Sequence, residues 1–392
     1  MFLVNLRRIR FIFKKPLHNN ILLYDGISKS KMDSISKKYA VFYNRYEEIN
    51  LYVLFYTIFT NGLKDIKKNY KVNFFKFISP KVIITFNDCD PAFFMLKNIY
   101  KDCKYISVQS TSKPKHFYKY IKDSRKKIPG CKFFSDYIFV FGQIDLDNHK
   151  KIIDGKILKY GSFENNKYLI KKKNLFIVKK KLHSKEILFI SSFNFDNQEM
   201  KIKKDDSFKK KLAHFILIFN KICKICIENN YKLSLLSKDG EEFESTYRNY
   251  FKLNNWNYIP KRTINGISLA SFYSTSGYET IPNYNYEVVN NSFFVVTDHS
   301  TMAYEALVKH KRVLIIPSKQ VMKEIFYGKL LKNSILFIQN PTYSNIELRI
   351  KKMFNYSPQK WNVIARKYSS LCMAFNKNNK VLKKYLRKCI KN

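Results

Sequence analysis

The sequence predicts an α/β protein made of two Rossmann-like domains facing each other across a cleft. Three observations carry that expectation. Short apolar runs of strand character alternate with longer stretches of helical spacing, as in a mostly parallel sheet covered by helices. The alternation occurs twice, in two stretches of similar size parted by a lysine-dense segment at 167–185. The 392 residues also suit two domains at about 100–200 residues each. The expected division is a first domain over 1–170, a basic linker over 171–184 and a second domain over 185–392.

In the first half, strands are expected at 21–26, 39–44, 81–88, 104–110 and 136–142, with a short one at 157–160 ending before Gly161. Helices are expected at 50–64 and 91–100, the second capped by Asp90 with Pro91 at its first position. In the second half, strands are expected at 185–192, 231–237, 292–298, 312–317 and 334–339. The helix over 208–230 places Leu212, Phe215, Phe219, Ile222 and Cys226 on one face. Further helices are expected at 241–251, at 300–309 and from 345 onward. In such sheets ligands sit beyond the carboxyl ends of the strands, so the strand ends are where chemistry is sought.

Composition narrows the class. Hydrophobic residues at 45% and aromatics at 16% exclude wholesale disorder. The net charge of +43 is spread along the whole chain among Asn, Ile, Phe and Tyr, with only 10 Gly and 10 Pro. That pattern reads as a bias towards A/T-rich codons rather than a polyanion site, so no nucleic-acid partner is expected; contact with an anionic inner membrane is a side effect of the charge. The seven cysteines are scattered through apolar segments and read as reduced thiols. Cys223 and Cys226 have CxxC spacing inside a helical pattern, which suits packing better than zinc. Arginines interrupt the apolar start at 1–15, and the apolar run at 51–59 is too short to span a bilayer. A cytoplasmic protein, at most peripheral on the inner face of the membrane, is expected. P-loop, GxGxxG, GxSxG and HExxH motifs are missing, which argues against kinases, nicotinamide-dependent dehydrogenases, serine hydrolases and zincins.

The most informative stretch is 293–317. A buried strand ends in Thr297 and Asp298, and Ser300 and Thr301 then open a helix. Backbone N–H groups at such a helix start can hold a phosphate against the positive helix end. Glu305, one turn in, can accept hydrogen bonds from a ribose diol. The plain alternative is an N-cap serine and a solvated helix glutamate.

This stretch resembles the second domain of GT-B glycosyltransferases. It is most similar to bacterial surface-carbohydrate-biosynthesis proteins with a motif near D-S-T-L-G-Y-E, and similar also to the S-T-x-G-x-E-A-L segment of capsule transferases that use CMP-Kdo. The match here is His299-Ser300-Thr301-Met302-Ala303-Tyr304-Glu305-Ala306-Leu307, with Ala303 in place of the family's glycine and His310-Lys311 in place of the glycine before the next strand. The segments 276–292 and 81–111 resemble other parts of the same family, the latter ending Val108-Gln109-Ser110-Thr111 where the family has I-Q-N-G.

The resemblance implies a metal-independent glycosyltransferase of capsule or lipopolysaccharide synthesis. It would have no cofactor beyond its nucleotide-sugar substrate, would bind that donor in the second domain, and would take a glycan or lipid-linked glycan acceptor in the first. Ser300 and Thr301 would hold the donor phosphate beside Thr297, Asp298 and His299, and Glu305 a ribose or sugar hydroxyl. Ser191 and Ser192 would touch the nucleotide phosphate, and Lys238 would neutralise the leaving group. Gln109 and Ser110 would face the acceptor. A sugar hydroxyl is a poor nucleophile until its proton is being removed, so a carboxylate base is needed. Asp88 is preferred, Asp25 is in reserve, and Asp90 doubles as a helix cap. The D-x-D pattern Asp88-Cys89-Asp90 keeps a metal alternative open, whereas the second one, Asp145 to Asp147, reads as a surface turn and helix start. His116 lies in a basic-aromatic stretch that reads as an amphipathic helix. Competing readings are a nucleotide-sugar 2-epimerase, a CDP-polyol phosphotransferase like the teichoic acid polymerases, whose D-x-S-S motif is also similar, and a non-catalytic basic nucleic-acid-binding or scaffold protein.

Overall fold

The computed structural model describes residues 9–45, 47–127, 130, 132–167, 185–195, 206–261, 284–324 and 333–391. The linker expected at 171–184 lies outside them, as does 276–283 of the family-like segment.

The chain runs through β1 (Arg10–Ile12), β2 (Ile21–Tyr24), β3 (Ala40–Phe42), β4 (Glu48–Asn50), β5 (Val82–Thr85), β6 (Lys104–Val108), β7 (Phe134–Val140) and β8 (Asp154–Lys159). Six of these form one parallel sheet in the order β3-β2-β5-β6-β7-β8, while β1 and β4 pair beside it. The second half contributes β9 (Glu186–Ile190), β10 (Lys232–Leu236), β11 (Asn257–Ile259), β12 (Phe294–Thr297) and β13 (Arg312–Ile315), again all parallel, in the order β11-β10-β9-β12-β13. The strands ILLY, VIIT and FVVT inside the sheets, and RVLI at the end of the second, are buried along their whole length. Unbroken apolar runs are what a parallel sheet covered on both faces demands. Most expected strands are found with their polar ends trimmed off, because those ends leave the ladder and enter the loops, while β7 and β8 begin earlier than expected, at Phe134 and Asp154.

Winding order decides where a site can form. From β2 the chain steps outward to β3, then crosses back to β5 on the other side. From β9 it steps to β10 and β11, then crosses back to β12. Each sheet therefore has one point, β2/β5 and β9/β12, where consecutive connections leave in opposite directions and a crevice opens beyond the carboxyl ends.

Two expectations change. The segment 334–339 is not a strand: it makes a single parallel bridge from Phe337 to Ile315. The Ser334 hydroxyl takes the Leu336 N–H at 3.2 Å and its carbonyl takes the Phe337 N–H, so a local turn consumes donors that a ladder needs. The last helix, Lys380–Lys391, falls within the stretch expected to form the second domain, yet it packs on the first sheet. Leu382, Leu386 and Cys389 join the cluster of Ile21, Leu23, Val82 and Ile84, and the Tyr385 ring meets Tyr137 at 4.7 Å. The helix is amphipathic with basic residues outward, and its apolar face closes the side of the first sheet opposite the helices Leu51–Asn61 and Ile66–Ile78. In the helix Asp206–Glu228 the expected face is buried, and burial pushes the Cys226 thiol up to about 12, as suits a packing residue.

Replacing Leu386 with Ala should cost about 2–5 kcal/mol, read as a lower urea midpoint, because it empties a buried position that joins the chain's end to its first sheet. A change within error would mean that the last helix is not held by this face.

Candidate functional site

The crevice of the second sheet is built by residues at the ends of β9, β10 and β12. Thr297 donates to the Ile190 carbonyl at 2.8 Å and accepts the Ser300 N–H at 3.2 Å, which ties the end of β12 to β9 and turns the chain. Ser192 donates to Asp298 across the same gap. His299 Nδ1 lies 3.0 Å from Asp298 Oδ2. Burial works against a charged Asp298, but His299, Ser192 and Lys238 outweigh it and hold its pKa below the ordinary carboxylate range. Ser300 caps the helix Thr301–Val308 by accepting the Met302 N–H at 3.4 Å. The backbone N–H groups of His299 and Thr301 have no partner among the described residues. Free amides at a helix start are an anion site in the making. Lys238, after β10, reaches the Ser192 carbonyl at 3.0 Å and adds positive charge to the rim.

Two candidates in this half are engaged otherwise. Ser191 is buried and closes its own turn, donating to the Phe193 carbonyl at 2.9 Å and accepting the Phe193 N–H at 3.1 Å. Glu305 is buried one turn into the helix, where Tyr286 donates to Oε1 at 3.1 Å and Oε2 has no partner among the described residues. Burial raises its pKa, only partly offset by the hydroxyls of Ser162 and Tyr286. Its backbone carbonyl accepts Asn165 Nδ2 at 3.3 Å, so this carboxyl sits where the two units join.

At the first sheet's crevice the acids converge. Asp25 follows β2 with φ of 103°, a conformation strained for any residue but glycine. It is held there by capping the Ile27 N–H at 3.1 Å, by Asn87 Nδ2 at 3.2 Å and by Arg45 at 3.5 Å. Asp88 follows β5 and is buried; its Oδ1 accepts from Ser110 N and Ser110 Oγ, each at 3.1 Å, and from Lys113 Nζ at 2.8 Å. Its Oδ2 has no partner among the described residues. Asp90 caps the helix Pro91–Met95 through the Ala92 N–H at 2.9 Å and accepts Asn44 Nδ2 at 2.7 Å. Asp88 and Asp90 thus have separate partners, and the described residues contain no group of three or more His, Cys, Asp or Glu arranged to hold a metal ion. Gln109 is buried, accepts the Phe141 N–H at 2.8 Å and donates to the Thr111 carbonyl at 2.9 Å, and so shapes the loop after β6.

Lys113 was not among the sequence candidates. Burial works against its ammonium, yet Asp88 and Cys89 outweigh that penalty and its pKa is raised. Its one sequence signal is its place just after a strand end, which 73 basic residues drown. Ser112 was missed as well. Its hydroxyl meets that of Thr301 at 3.1 Å, and Lys115 donates to the Lys323 carbonyl at 2.6 Å. These contacts bring the carboxyl edges of the two sheets together, with the acids on one side and the free amides on the other. His116 is exposed on the helix Lys115–Lys126, and Asp145 is buried in Gln143–His149, where Tyr118 donates to it at 3.1 Å.

Two parallel sheets with facing carboxyl edges, and a final helix returning to the first, define a GT-B fold. The spinosyn rhamnosyltransferase SpnG shares it, with a TM-score of 0.51 over 93% of this chain and 99% of its own at 9% identity. The wall teichoic acid polymerase TagF aligns at a TM-score of 0.46 and 10% identity over 96% of this chain and 90% of its own. The UDP-GlcNAc 2-epimerase from Methanocaldococcus jannaschii aligns at 0.45 and 8% identity over 94% and 99%. The chain belongs to the family described as "putative O-antigen biosynthesis protein", whose model matches residues 121–390. No curated protein matches the sequence.

Two measurements probe the site's electrostatics. Lys113→Met strands the buried Asp88 carboxylate and should cost about 3–5 kcal/mol in urea unfolding, whereas Lys113→Met with Asp88→Leu should recover most of it. Additive losses would show the two groups to be uncoupled. For Asp298 the folded pKa lies below the unfolded one, so its stabilisation is present above about pH 4 and fades as pH falls through the folded value. Asp298→Asn should flatten that acid limb.

Proposed function

We propose that the protein is a glycosyltransferase that moves a sugar from a nucleotide-activated donor to an acceptor of surface polysaccharide or lipopolysaccharide. The observation that carries this is the apposition of two unlike crevices at the line where Ser112 meets Thr301. One offers amides that have no partner among the described residues, placed to receive phosphate oxygens; the other offers a fixed, buried carboxylate whose Oδ2 has no partner among the described residues. The O-antigen family description and the GT-B fold agree with this reading.

In the reaction, an acceptor hydroxyl attacks the anomeric carbon as the bond from that carbon to the nucleotide phosphate breaks. Asp88 Oδ2 takes the hydroxyl proton, while Lys113 and Ser110 hold Oδ1 and fix the carboxyl plane. Asp25 is the second base candidate and Asp90 a cap beside it. Charge growing on the phosphate is met by the N–H groups of His299 and Thr301, the positive end of the helix Thr301–Val308, and Lys238. Ser192 and Asp298 clasp β9 to β12 beneath the phosphate. The residues do not call for a metal ion or a cofactor in this scheme. No helix among the described residues is long and apolar enough to cross a membrane, and we place the enzyme on the cytoplasmic side, against the inner membrane.

The test is a thermal-shift screen with UDP, CMP, GDP and CDP, followed by transfer assays. One nucleotide should stabilise the protein by about 2.7 kcal/mol at a hundredfold excess over its Kd. Asp88→Asn should keep that stabilisation and lose about 10²–10⁴-fold in transfer. No response to any nucleotide, or isomerised sugar without transfer, would overturn the proposal.

A further inference from the structure

We infer that the helix Leu51–Asn61, together with Phe11, Phe13 and Leu17, forms a surface that seats the first unit on an anionic lipid bilayer. The helix is anchored on one side only. Val53 and Thr57 face inward, Asn73 donates to Thr57 at 3.1 Å, and Tyr52 and Tyr56 pack edge-on against Phe77. The opposite side is bare: Phe55 is 61% exposed and Phe59 93%, with Leu63 following at 73%. Phe55 and Phe59, four apart, form one stripe on the helix, and Leu63 follows beyond its Gly62 cap.

The neighbouring strand extends this apolar surface. β1 pairs with β4, which runs straight into the helix, and Asn50, the helix cap, donates to the Lys14 carbonyl at 2.9 Å. This holds the segment with Phe13 and Leu17, each 72% exposed, beside the helix start. Aromatic side chains left in water this completely, and grouped, mark a face that meets an apolar phase.

The charge around the face selects the partner. Lys14, Lys15, Lys64, Lys67 and Lys68 are all exposed on its margins. No acidic residue occurs in 9–24 or in 49–64. An apolar stripe rimmed by lysine is the pattern that lies in the headgroup region of an anionic membrane, apolar side chains down and ammonium groups on the lipid phosphates. The same stretch of chain leads to the acid-bearing crevice. Asn44, bonded to Asp90, and Arg45, beside Asp25, precede β4 by only a few residues. If the proposed transfer reaction holds, the acceptor that reaches Asp88 is one held at the membrane surface.

The experiment is vesicle co-flotation of the full chain with phosphatidylglycerol vesicles and with phosphatidylcholine vesicles. The protein should float with the anionic vesicles, weakly with the zwitterionic ones, and less as salt rises. Phe55→Ser with Phe59→Ser should lower the bound fraction about tenfold or more, with an unchanged melting temperature and unchanged nucleotide stabilisation. Equal flotation of the double variant, or no flotation of the wild type, would overturn the inference. So would a concentration-dependent dimer that the double variant abolishes, since a second copy would then cover the face. Vesicle binding without any nucleotide response would leave this surface standing and remove the transferase reading; the reverse result would do the opposite.

Discussion

A parallel sheet whose connections leave a central strand in opposite directions cannot cover the carboxyl end of that strand, and a gap remains there. This protein has two such gaps, at β2/β5 and β9/β12. All else in the site follows from how each is filled. The second is pulled together by side-chain bonds between strand ends, Thr297 to the Ile190 carbonyl and Ser192 to Asp298, and the amides above them have no partner among the described residues. The first is filled by acids, and acids in a buried crevice need counter-groups. Asn87 and Arg45 serve Asp25, Ser110 and Lys113 serve Asp88, and Asn44 serves Asp90.

The division of labour is electrostatic. On the first sheet, Asp25 and Asp90 each accept through both carboxylate oxygens, whereas Asp88 is held through Oδ1 alone and its buried Oδ2 has no partner among the described residues. On the second, a helix start, a lysine and a histidine gather around a carboxylate that stays ionised because they face it. An acceptor hydroxyl that must lose a proton and a phosphate that must gain charge have opposite needs. In the proposed reaction the two crevices would supply them from opposite sides of one junction, without either group having to move far.

Much of this was legible in the sequence because parallel strands buried on both faces leave unbroken apolar runs, and their ends are marked by the first polar residues. Asp25, Asp88, Ser192, Thr297 and Asp298 were found that way. Other features left weaker marks. β1 and β4 are three residues each, below any periodicity. The helix Ile66–Ile78 buries Tyr70, Phe74, Phe75 and Ile78 between lysines that blur its pattern. Lys113 is one basic residue among many, and only the fold shows it buried against Asp88. Local pattern could not show that Tyr286 covers Glu305 or that the last helix returns to the first sheet, because both depend on contacts between distant parts of the chain. The segment 334–339 has strand composition, but its own serine diverts the donors.

The claim that β9/β12 is the donor crevice can be tested without any knowledge of the acceptor. Hydrogen exchange followed by mass spectrometry, with and without the stabilising nucleotide, reads the amides themselves. Exchange should slow in peptides covering 188–193 and 297–303, where the N–H groups of His299 and Thr301 acquire phosphate partners. Slowed exchange confined to other segments, with these two peptides unchanged, would contradict the claim.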